Sequence, residues 1–233
     1  EAIRSLEGSR IRQVVNASLG RPEVLRFWFG ESDEVTPEAV REAAIRSLQE
    51  GETFYNHNLG IPELREAITG YMRRVHPLAA PRLSEARVGA TSSGVNALML
   101  ATQALVDADS RVVAVTPVWP NLIQQSVIMG AQVHDVPLHP VDGEWRLDLQ
   151  RLLDAVTPDT RLLLVNAPNN PTGWTITRDE QQAILDHCRR TGTWILADEV
   201  YERLYYEPTP NACAPSFLDI AEPDDRLVVA HSF

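Results

Sequence analysis

The residues with the clearest chemical potential are Asn170, Asp198, Tyr201 and Ser232, which lie at or shortly after the ends of apolar runs. An amide and a phenol can hydrogen-bond an oxygen atom of a ligand. A carboxylate that ends a buried strand costs several kcal/mol unless a positive group pairs with it. A protonated pyridine nitrogen is such a group, and the carboxylate would keep that ring cationic and electron-withdrawing. The alternative for Asp198 is a helix cap or a structural ion pair.

A second group of residues predicts an anion site. The segment 91–96, Thr-Ser-Ser-Gly-Val-Asn, joins a strand-like run to a helix-like run. The free N–H groups of a first helical turn favour an anion, and Ser93 and Gly94 are small enough for a phosphate to approach the backbone. Because Ser-Gly is common at helix starts, this segment taken alone is more typical of an ordinary N-cap than of an anion site.

Two further features follow strand-like runs. Trp119, within Pro-Val-Trp-Pro-Asn, could stack on a flat heteroaromatic ring, although a lone tryptophan is more often part of a core. The segment 166–173, Asn-Ala-Pro-Asn-Asn-Pro-Thr-Gly, is dense in turn-forming residues. Its interpretation as a plain loop competes with a role for the Asn170 amide beside a phenolic oxygen.

Strand-like and helix-like segments alternate from about residue 86, which predicts a mostly parallel sheet with helices on both faces in a three-layer α/β/α fold. Apolar runs without alternation indicate strands that are covered on both sides. Helices are expected at about 38–49 and 62–75 before the sheet, and at 95–105 and 177–190 within it. The predicted strands are Arg87–Ala90, Arg111–Thr116, Ala131–Leu138, Arg161–Val165, Thr193–Ala197 and Arg226–Ala230.

Composition excludes several classes of protein. A net charge of −11 argues against a nucleic-acid surface, which needs clustered Lys and Arg. Cys188 and Cys213 are too few for a disulfide framework and favour a reducing compartment, so a cytoplasmic location is expected. No apolar run approaches the about 20 residues of a membrane helix, so no membrane partner is expected. The six histidines show no metal-ligand spacing.

Taken together, Asn-Asn-Pro-Thr-Gly at 169–173, Asp-Glu-Val-Tyr at 198–201 and the terminal Ser-Phe resemble the class I/II aminotransferases of the aspartate aminotransferase type. These are fold-type I enzymes that depend on pyridoxal 5'-phosphate. The resemblance spans nearly the whole chain. It implies an enzyme that transfers an amino group between an amino acid and a 2-oxo acid. It also implies an incomplete cofactor-binding large domain at 34–233, preceded by a segment of the small domain at 1–33.

The resemblance also assigns roles to individual residues. It implies that Asp198 pairs with the pyridine nitrogen while Asn170 and Tyr201 hydrogen-bond the phenolic oxygen, so that these side chains take part in catalysis. Other residues would bind the cofactor by stacking on the ring or by holding the phosphate: Trp119 for the ring, and Ser93, Gly94, Val95 and Ser232 for the phosphate. Tyr55 matches the tyrosine that reaches the phosphate of a neighbouring subunit, which implies a homodimer. Gly30 matches a glycine near the substrate carboxylate.

One departure from the family pattern is large. In the family, Ser-Phe continues into Ser-Lys, and that lysine binds the cofactor as a Schiff base and moves a proton at the substrate's α carbon. No lysine follows Ser232 here. The chain is therefore expected to be an amino-terminal part of such an enzyme and to be inactive alone.

Other functions stay open at this point. The same cofactor site could serve a carbon–sulfur lyase, or a non-catalytic module that binds the cofactor reversibly. A nicotinamide dinucleotide site is disfavoured because no Gly-x-Gly-x-x-Gly follows a strand. Substrate specificity cannot be predicted, since most substrate-binding residues of the family lie outside these positions.

Overall fold

The computed structural model describes residues 2–6, 8, 10–30, 33–207, 209 and 211–233. The chain divides into two compact units. The larger contains Leu59–Phe233 together with the first residues of the chain, and the smaller contains Leu6–Asn58. The division after residue 33 and the assignment of domain roles stay predictions.

The smaller unit contains two helices. Helix α1 spans Arg10–Ser18 and helix α2 spans Glu38–Gln49. The bounds of α2 confirm the helix predicted from Thr36-Pro37, with Pro37 as the residue that precedes the first turn. The Arg12 guanidinium lies 5.2 Å from the centre of the Phe29 ring, a cation–π contact.

The larger unit is built on a parallel sheet of five strands. Each predicted strand from residue 111 onward is found within about two residues of its expected bounds. The strand order is β2-β1-β5-β6-β7, and every neighbouring pair in it is parallel. The strands are β1 (Arg111–Thr116), β2 (Gln132–Pro137), β5 (Thr160–Asn166), β6 (Trp194–Asp198) and β7 (Leu227–Ala230), and a separate antiparallel hairpin comprises β3 (His139–Val141) and β4 (Glu144–Arg146).

Both faces of the sheet are buried, which explains the continuous apolar runs. Successive residues of β5 alternate between two cores: Leu163 and Val165 belong to one, and Leu162 and Leu164 to the other. All four are at most 1% exposed. The confirmed architecture is therefore three-layered: the helices at 149–155 and 178–191 pack in the first core, and the helices at 94–105 and 120–128 pack in the second.

Residues at the helix ends determine where the helices of the larger unit begin and end. Pro62 occupies the first turn of α3, and Asp148 caps α6 by accepting a hydrogen bond from the Arg151 N–H. Gly192 ends α7 in the left-handed conformation at φ 76°. The helices are α3 (Pro62–Val75), α4 (Gly94–Leu105), α5 (Pro120–Ile128), α6 (Leu149–Ala155) and α7 (Arg178–Thr191), with 3₁₀ turns at Ala2–Ser5, Ala80–Arg82, Glu85–Arg87 and Phe217–Asp219. Among the described residues, no helix combines the length and apolar character needed to cross a membrane.

The strand predicted at Arg87–Ala90 is wrong. Arg87 ends a 3₁₀ turn, and the following residues run outside the sheet. The Ala90 N–H donates to the Leu59 carbonyl at 2.9 Å, so this segment is hydrogen-bonded to the residues that precede the helix at 62–75. The backbone hydrogen-bonding groups of this short apolar run therefore find partners outside the sheet. The sequence pattern alone does not distinguish such a run from a strand.

Loss of the α7 cap should destabilise the protein measurably. Thr177 and Glu180 form a reciprocal capping box, so Thr177→Ala should lower the free energy of unfolding by about 1 kcal/mol. The matched control is Thr53→Ala, which changes an exposed threonine whose hydroxyl donates a long hydrogen bond of 3.4 Å to the Gly51 carbonyl, with an expected change below about 0.5 kcal/mol. Urea denaturation measures both, and equal effects would contradict the capping role.

Candidate functional site

The parallel register brings chemically distinct side chains to one edge of the sheet. Asn166 at the end of β5 is paired with Asp198 at the end of β6, and Asp198 is paired with Ala230 at the end of β7. Carboxyl ends of parallel strands are where open α/β sheets bind ligands. The segments that carry Asn170, Tyr201 and Ser232 leave the sheet at this edge.

The loop after β5 holds its own shape through the side chains of two asparagines. Asn166 accepts a hydrogen bond from the Asn170 N–H at 2.8 Å and donates to the Asp198 carbonyl at 3.0 Å. Asn169 accepts from both the N–H and the hydroxyl of Thr172, at 3.0 and 2.7 Å. Because these hydrogen bonds stabilise the loop without the Asn170 side chain, the amide of that side chain is available for other partners.

Asn170 and Tyr201 meet at the sheet edge. The Asn170 amide nitrogen Nδ2 lies 3.4 Å from the Tyr201 hydroxyl oxygen. Both side chains are only partly buried. Two hydrogen-bonding groups that converge in this way can share one acceptor or donor atom of a ligand.

Asp198 is a buried carboxylate without a positive side chain beside it. It is 4% exposed, and within the described part of the chain its hydrogen bond is from the Val200 N–H to Oδ1 at 3.3 Å. No arginine or histidine of those residues forms an ion pair with it. Burial raises the pKa of Asp198 from 3.8 to about 6, a shift that the Val200 N–H only partly opposes.

The start of α4 lies close to the end of β7. Ser93 is the N-cap of α4, and its hydroxyl accepts a hydrogen bond from the Asn96 N–H at 3.2 Å. An added Cβ on Gly94 would lie 3.5 Å from Val200 Cγ1 and 4.0 Å from Ser232 Cβ. The first-turn N–H groups of α4 and the exposed Ser232 therefore flank the same space, and both segments line a cavity of about 540 Å³.

The remaining predicted site residues have different surroundings. Trp119 precedes α5 and is partly buried against the core that contains Leu122. Val95 is 41% exposed in the first turn of α4. Tyr55 and Gly30 are exposed residues of the smaller unit. Stacking by Trp119 and the roles of Tyr55 and Gly30 stay predictions.

Sequence reasoning missed the residues that support this edge. Asn166 was seen only as part of a turn-rich segment, although its side chain links the loop to Asp198. Glu199 is 3% exposed and accepts hydrogen bonds from the Ser216 hydroxyl at 2.5 Å and the Phe217 N–H at 3.0 Å. Burial raises the pKa of Glu199 to about 7 against the effect of these donors. No local spacing signalled the link, because Ser216 is distant in sequence.

Comparisons with known proteins agree with this geometry. The model of the family described as aminotransferase class I and II matches residues 23–233. An aspartate aminotransferase from Pyrococcus horikoshii is 30% identical over 233 residues, which cover 100% of this chain and 57% of that protein. An aspartate/prephenate aminotransferase from Thermus thermophilus is 36% identical over 190 residues, covering 80% of this chain and 48% of that protein.

Solved structures give the same result. A tetra mutant of Thermus thermophilus aspartate aminotransferase, complexed with tryptophan, superposes with a TM-score of 0.89 at 29% identity. The match covers 99% of this chain and 59% of that one. The chain thus spans about half of the length of the relatives it matches.

The buried charge at Asp198 should impose a stability cost that depends on pH. A shift of the pKa from 3.8 to about 6 corresponds to about 3 kcal/mol. Because the folded-state pKa is the higher one, the cost is absent below pH 3.8, grows as the pH rises through about 6, and is complete above it. Asp198→Asn should therefore stabilise the cofactor-free protein by up to about 3 kcal/mol at pH 8 and have little effect near pH 4.

Urea denaturation at a series of pH values measures this effect. The matched control is Asp135→Asn, since Asp135 is exposed on β2 and its replacement should change the free energy of unfolding by less than about 0.5 kcal/mol. Destabilisation by Asp198→Asn at every pH would show that the carboxylate is not an uncompensated buried charge.

Proposed function

Because the chain belongs to the class I and II aminotransferase family, we propose that its sheet edge binds pyridoxal 5'-phosphate and that the protein transfers an amino group between an amino acid and a 2-oxo acid. The observation that carries the proposal is Asp198, a buried carboxylate with a raised pKa and no positive side chain paired with it among the described residues. A pyridinium nitrogen supplies the missing charge. The carboxylate in turn keeps that nitrogen protonated.

The hydrogen-bonding groups beside Asp198 fit the oxygen of the same ring. In the proposed arrangement the Asn170 amide donates to the phenolic oxygen, and the Tyr201 hydroxyl donates to it as well. Two donors would stabilise that oxygen as an anion. Trp119, at the end of β1, would cover one face of the ring.

The phosphate would lie at the start of α4. The backbone N–H groups of Gly94 and Val95 belong to the first turn, which has no partners within the helix for its N–H groups. The Ser93 hydroxyl already caps the helix, so Ser93 would contribute mainly by placing the turn. Ser232, whose Cβ would lie 4.0 Å from a Cβ added to Gly94, would complete the phosphate site with its hydroxyl.

When bound, pyridoxal phosphate supplies an aldehyde that reacts with amines and a ring that accepts electrons from the substrate's α carbon. These 233 residues contribute the non-covalent part of the site, because all 21 of their basic Lys and Arg residues are arginines. Asp198, Asn170 and Tyr201 would hold the ring in its reactive charge state. They would act on the cofactor and not on the proton at the α carbon.

Substrates and partners belong to the same proposal. The relatives carry the names aspartate, aspartate/prephenate and aromatic-amino-acid aminotransferase, so an acidic or aromatic amino acid and its 2-oxo acid are the proposed substrates. We also propose a cytoplasmic homodimer in which Tyr55 reaches the partner subunit's phosphate. Tyr55 is fully exposed within its unit, as such a role requires. Gly30 would lie near the substrate carboxylate.

Cofactor binding tests the role of Asp198. Asp198→Asn should weaken binding of pyridoxal phosphate by about 100-fold or more, because it leaves the pyridinium without its buried partner. Equilibrium titration followed by the cofactor's absorbance measures the affinity. Asp135→Asn is again the control and should bind normally. Unchanged affinity in Asp198→Asn would contradict the proposed pairing.

Tyr201→Phe tests the other side of the ring. Because it removes one donor to the phenolic oxygen, it should raise the pKa of the bound cofactor's absorbance transition while the affinity falls by about tenfold or less. Tyr206→Phe, a change at an exposed tyrosine of the same segment, should leave the transition in place. A transition that is identical in wild type and Tyr201→Phe would place the ring elsewhere.

An assay of the complete protein tests the reaction. Incubation with aspartate or an aromatic amino acid and 2-oxoglutarate should yield glutamate and the matching 2-oxo acid. Release of pyruvate and ammonia from cystathionine without amino transfer would instead identify a carbon–sulfur lyase. Cofactor binding without either product would indicate a binding module.

A further inference from the structure

A buried cluster of metal-ligating side chains lies outside the proposed cofactor contacts. His76, Glu202 and Cys213 each offer one ligand atom, and these atoms lie within 4.8 Å of one another. The residues are 1%, 5% and 5% exposed, respectively. His76 is more than 120 positions from the other two in the sequence, which is why ligand spacing along the chain gave no signal.

The distances suit a small divalent cation with soft and borderline ligands. The His76 Nε2 atom lies 3.7 Å from Cys213 Sγ and 2.8 Å from Glu202 Oε2. Metal–ligand bonds of about 2.0–2.3 Å in a tetrahedron place neighbouring donor atoms roughly 3.3–3.7 Å apart. The first distance fits directly. The second is that of a hydrogen bond and needs to lengthen by about half an ångström when a metal replaces the proton between the two groups.

The local backbone fixes the three donors in place. His76 ends α3, and its N–H donates to the Met72 carbonyl. The Ala214 N–H donates to the Glu202 carbonyl at 2.9 Å, which holds Cys213 beside Glu202. A site built on rigid contacts of this kind is already arranged before a metal binds.

The groups around the donors match those found around protein-bound zinc. The other ring nitrogen of His76 lies 3.4 Å from Asp219, which also accepts a hydrogen bond from Arg178 at 2.7 Å. A carboxylate on the distal nitrogen of a ligating histidine is the usual way to fix its tautomer. The Tyr71 hydroxyl donates to Glu202 Oε1 at 2.8 Å and leaves Oε2 facing His76.

A fourth nitrogen is close by. His231 Nδ1 lies 3.5 Å from Glu202 Oε2. Neither ring nitrogen of His231 has a hydrogen-bond partner within the described residues, although both are buried. Its Nε2 atom lies 3.8 Å from Glu199 Oε2, so the ring stands between two carboxylates without forming a hydrogen bond to either. A ring nitrogen in this position, next to three potential ligands, is a second observation that indicates a bound ion.

From this geometry we propose that His76, Glu202 and Cys213 bind one Zn²⁺ ion, and that the His231 ring, which lies outside this group of mutually close ligand atoms, turns toward the ion as the fourth ligand. Thiolate, imidazole and carboxylate donors together favour zinc over magnesium or calcium. Coordination releases the Cys213 thiol proton and the proton shared by His76 and Glu202. The ion would tie α3 to the segment that follows Tyr201. The inference does not depend on the cofactor proposal.

Cobalt(II) is the probe, since it replaces zinc and reports its ligands by colour. Purified protein freed of metal with a chelator should bind one Co²⁺ per chain, with a thiolate-to-cobalt charge-transfer band and the intense visible bands of four-coordination. Zn²⁺ should displace the cobalt and raise the melting temperature. Cys213→Ala should abolish the charge-transfer band and weaken binding at least about tenfold.

The matched control is Cys188→Ala, which removes the other cysteine. Cys188 is buried on α7, and burial raises its thiol pKa to about 12, so it is a poor ligand. This variant should keep the full cobalt spectrum. Asp219→Asn preserves the size of the side chain and should weaken Co²⁺ binding by about 10–100-fold. It serves as the second test if Cys213→Ala does not fold.

Two results would overturn the proposal. One is the absence of saturable Co²⁺ binding by the folded protein, which would leave His76, Glu202 and Asp219 as an ion-pair cluster only. The other is a cobalt spectrum and affinity that are the same in wild type, Cys213→Ala and Asp219→Asn, which would place the metal elsewhere.

Discussion

The sheet edge depends on one costly arrangement, the carboxylate of Asp198 buried at the end of β6 without a positive neighbour among the described side chains. The carboxylate cannot escape to solvent easily, because its backbone is fixed on both sides by parallel pairing with β5 and β7. Asn166 adds a hydrogen bond to its carbonyl. The strand thus holds a charge where solvation is poor, and a cationic ligand would recover the lost free energy.

Several polar groups in the loops around Asp198 form hydrogen bonds within those same loops. The Asn169 Oδ1 atom accepts two hydrogen bonds from Thr172, and the Ser93 hydroxyl accepts one from the first turn of α4. The Asn170 amide and the Tyr201 hydroxyl are only in long contact with each other, at 3.4 Å, and the first-turn N–H groups of α4 have no partners within the helix. A ligand that binds here meets groups that need little rearrangement, which lowers the entropic cost of binding.

Much of this arrangement was predictable because it depends on local chemistry. The helix predicted at 177–190 is confirmed because its cap at Thr177 and its end at Gly192 depend on residues only a few positions away, and the apolar strands likewise depend on local pattern. Parallel order then brings the strand ends together, so the position of Asn170, Asp198 and Tyr201 at one edge of the sheet was predictable from the sequence, while their roles stay predictions. The strand at Arg87–Ala90 failed because a short apolar run does not specify its pairing partner. The contacts of Asn166, Glu199 and His76 were missed because their partners are distant in sequence.

The contrast among three acids of one segment supports a functional reading of Asp198. Glu199 receives donors from Ser216 and Phe217, and Glu202 receives the Tyr71 hydroxyl and pairs with His76. The fold therefore supplies partners to buried carboxylates directly after β6. Asp198 is as deeply buried as these two, but among the residues that the structure describes its carboxylate receives only one long hydrogen bond, from the Val200 N–H. Its lack of a positive partner is thus a property of one position and not of the region, as expected where a ligand provides the partner.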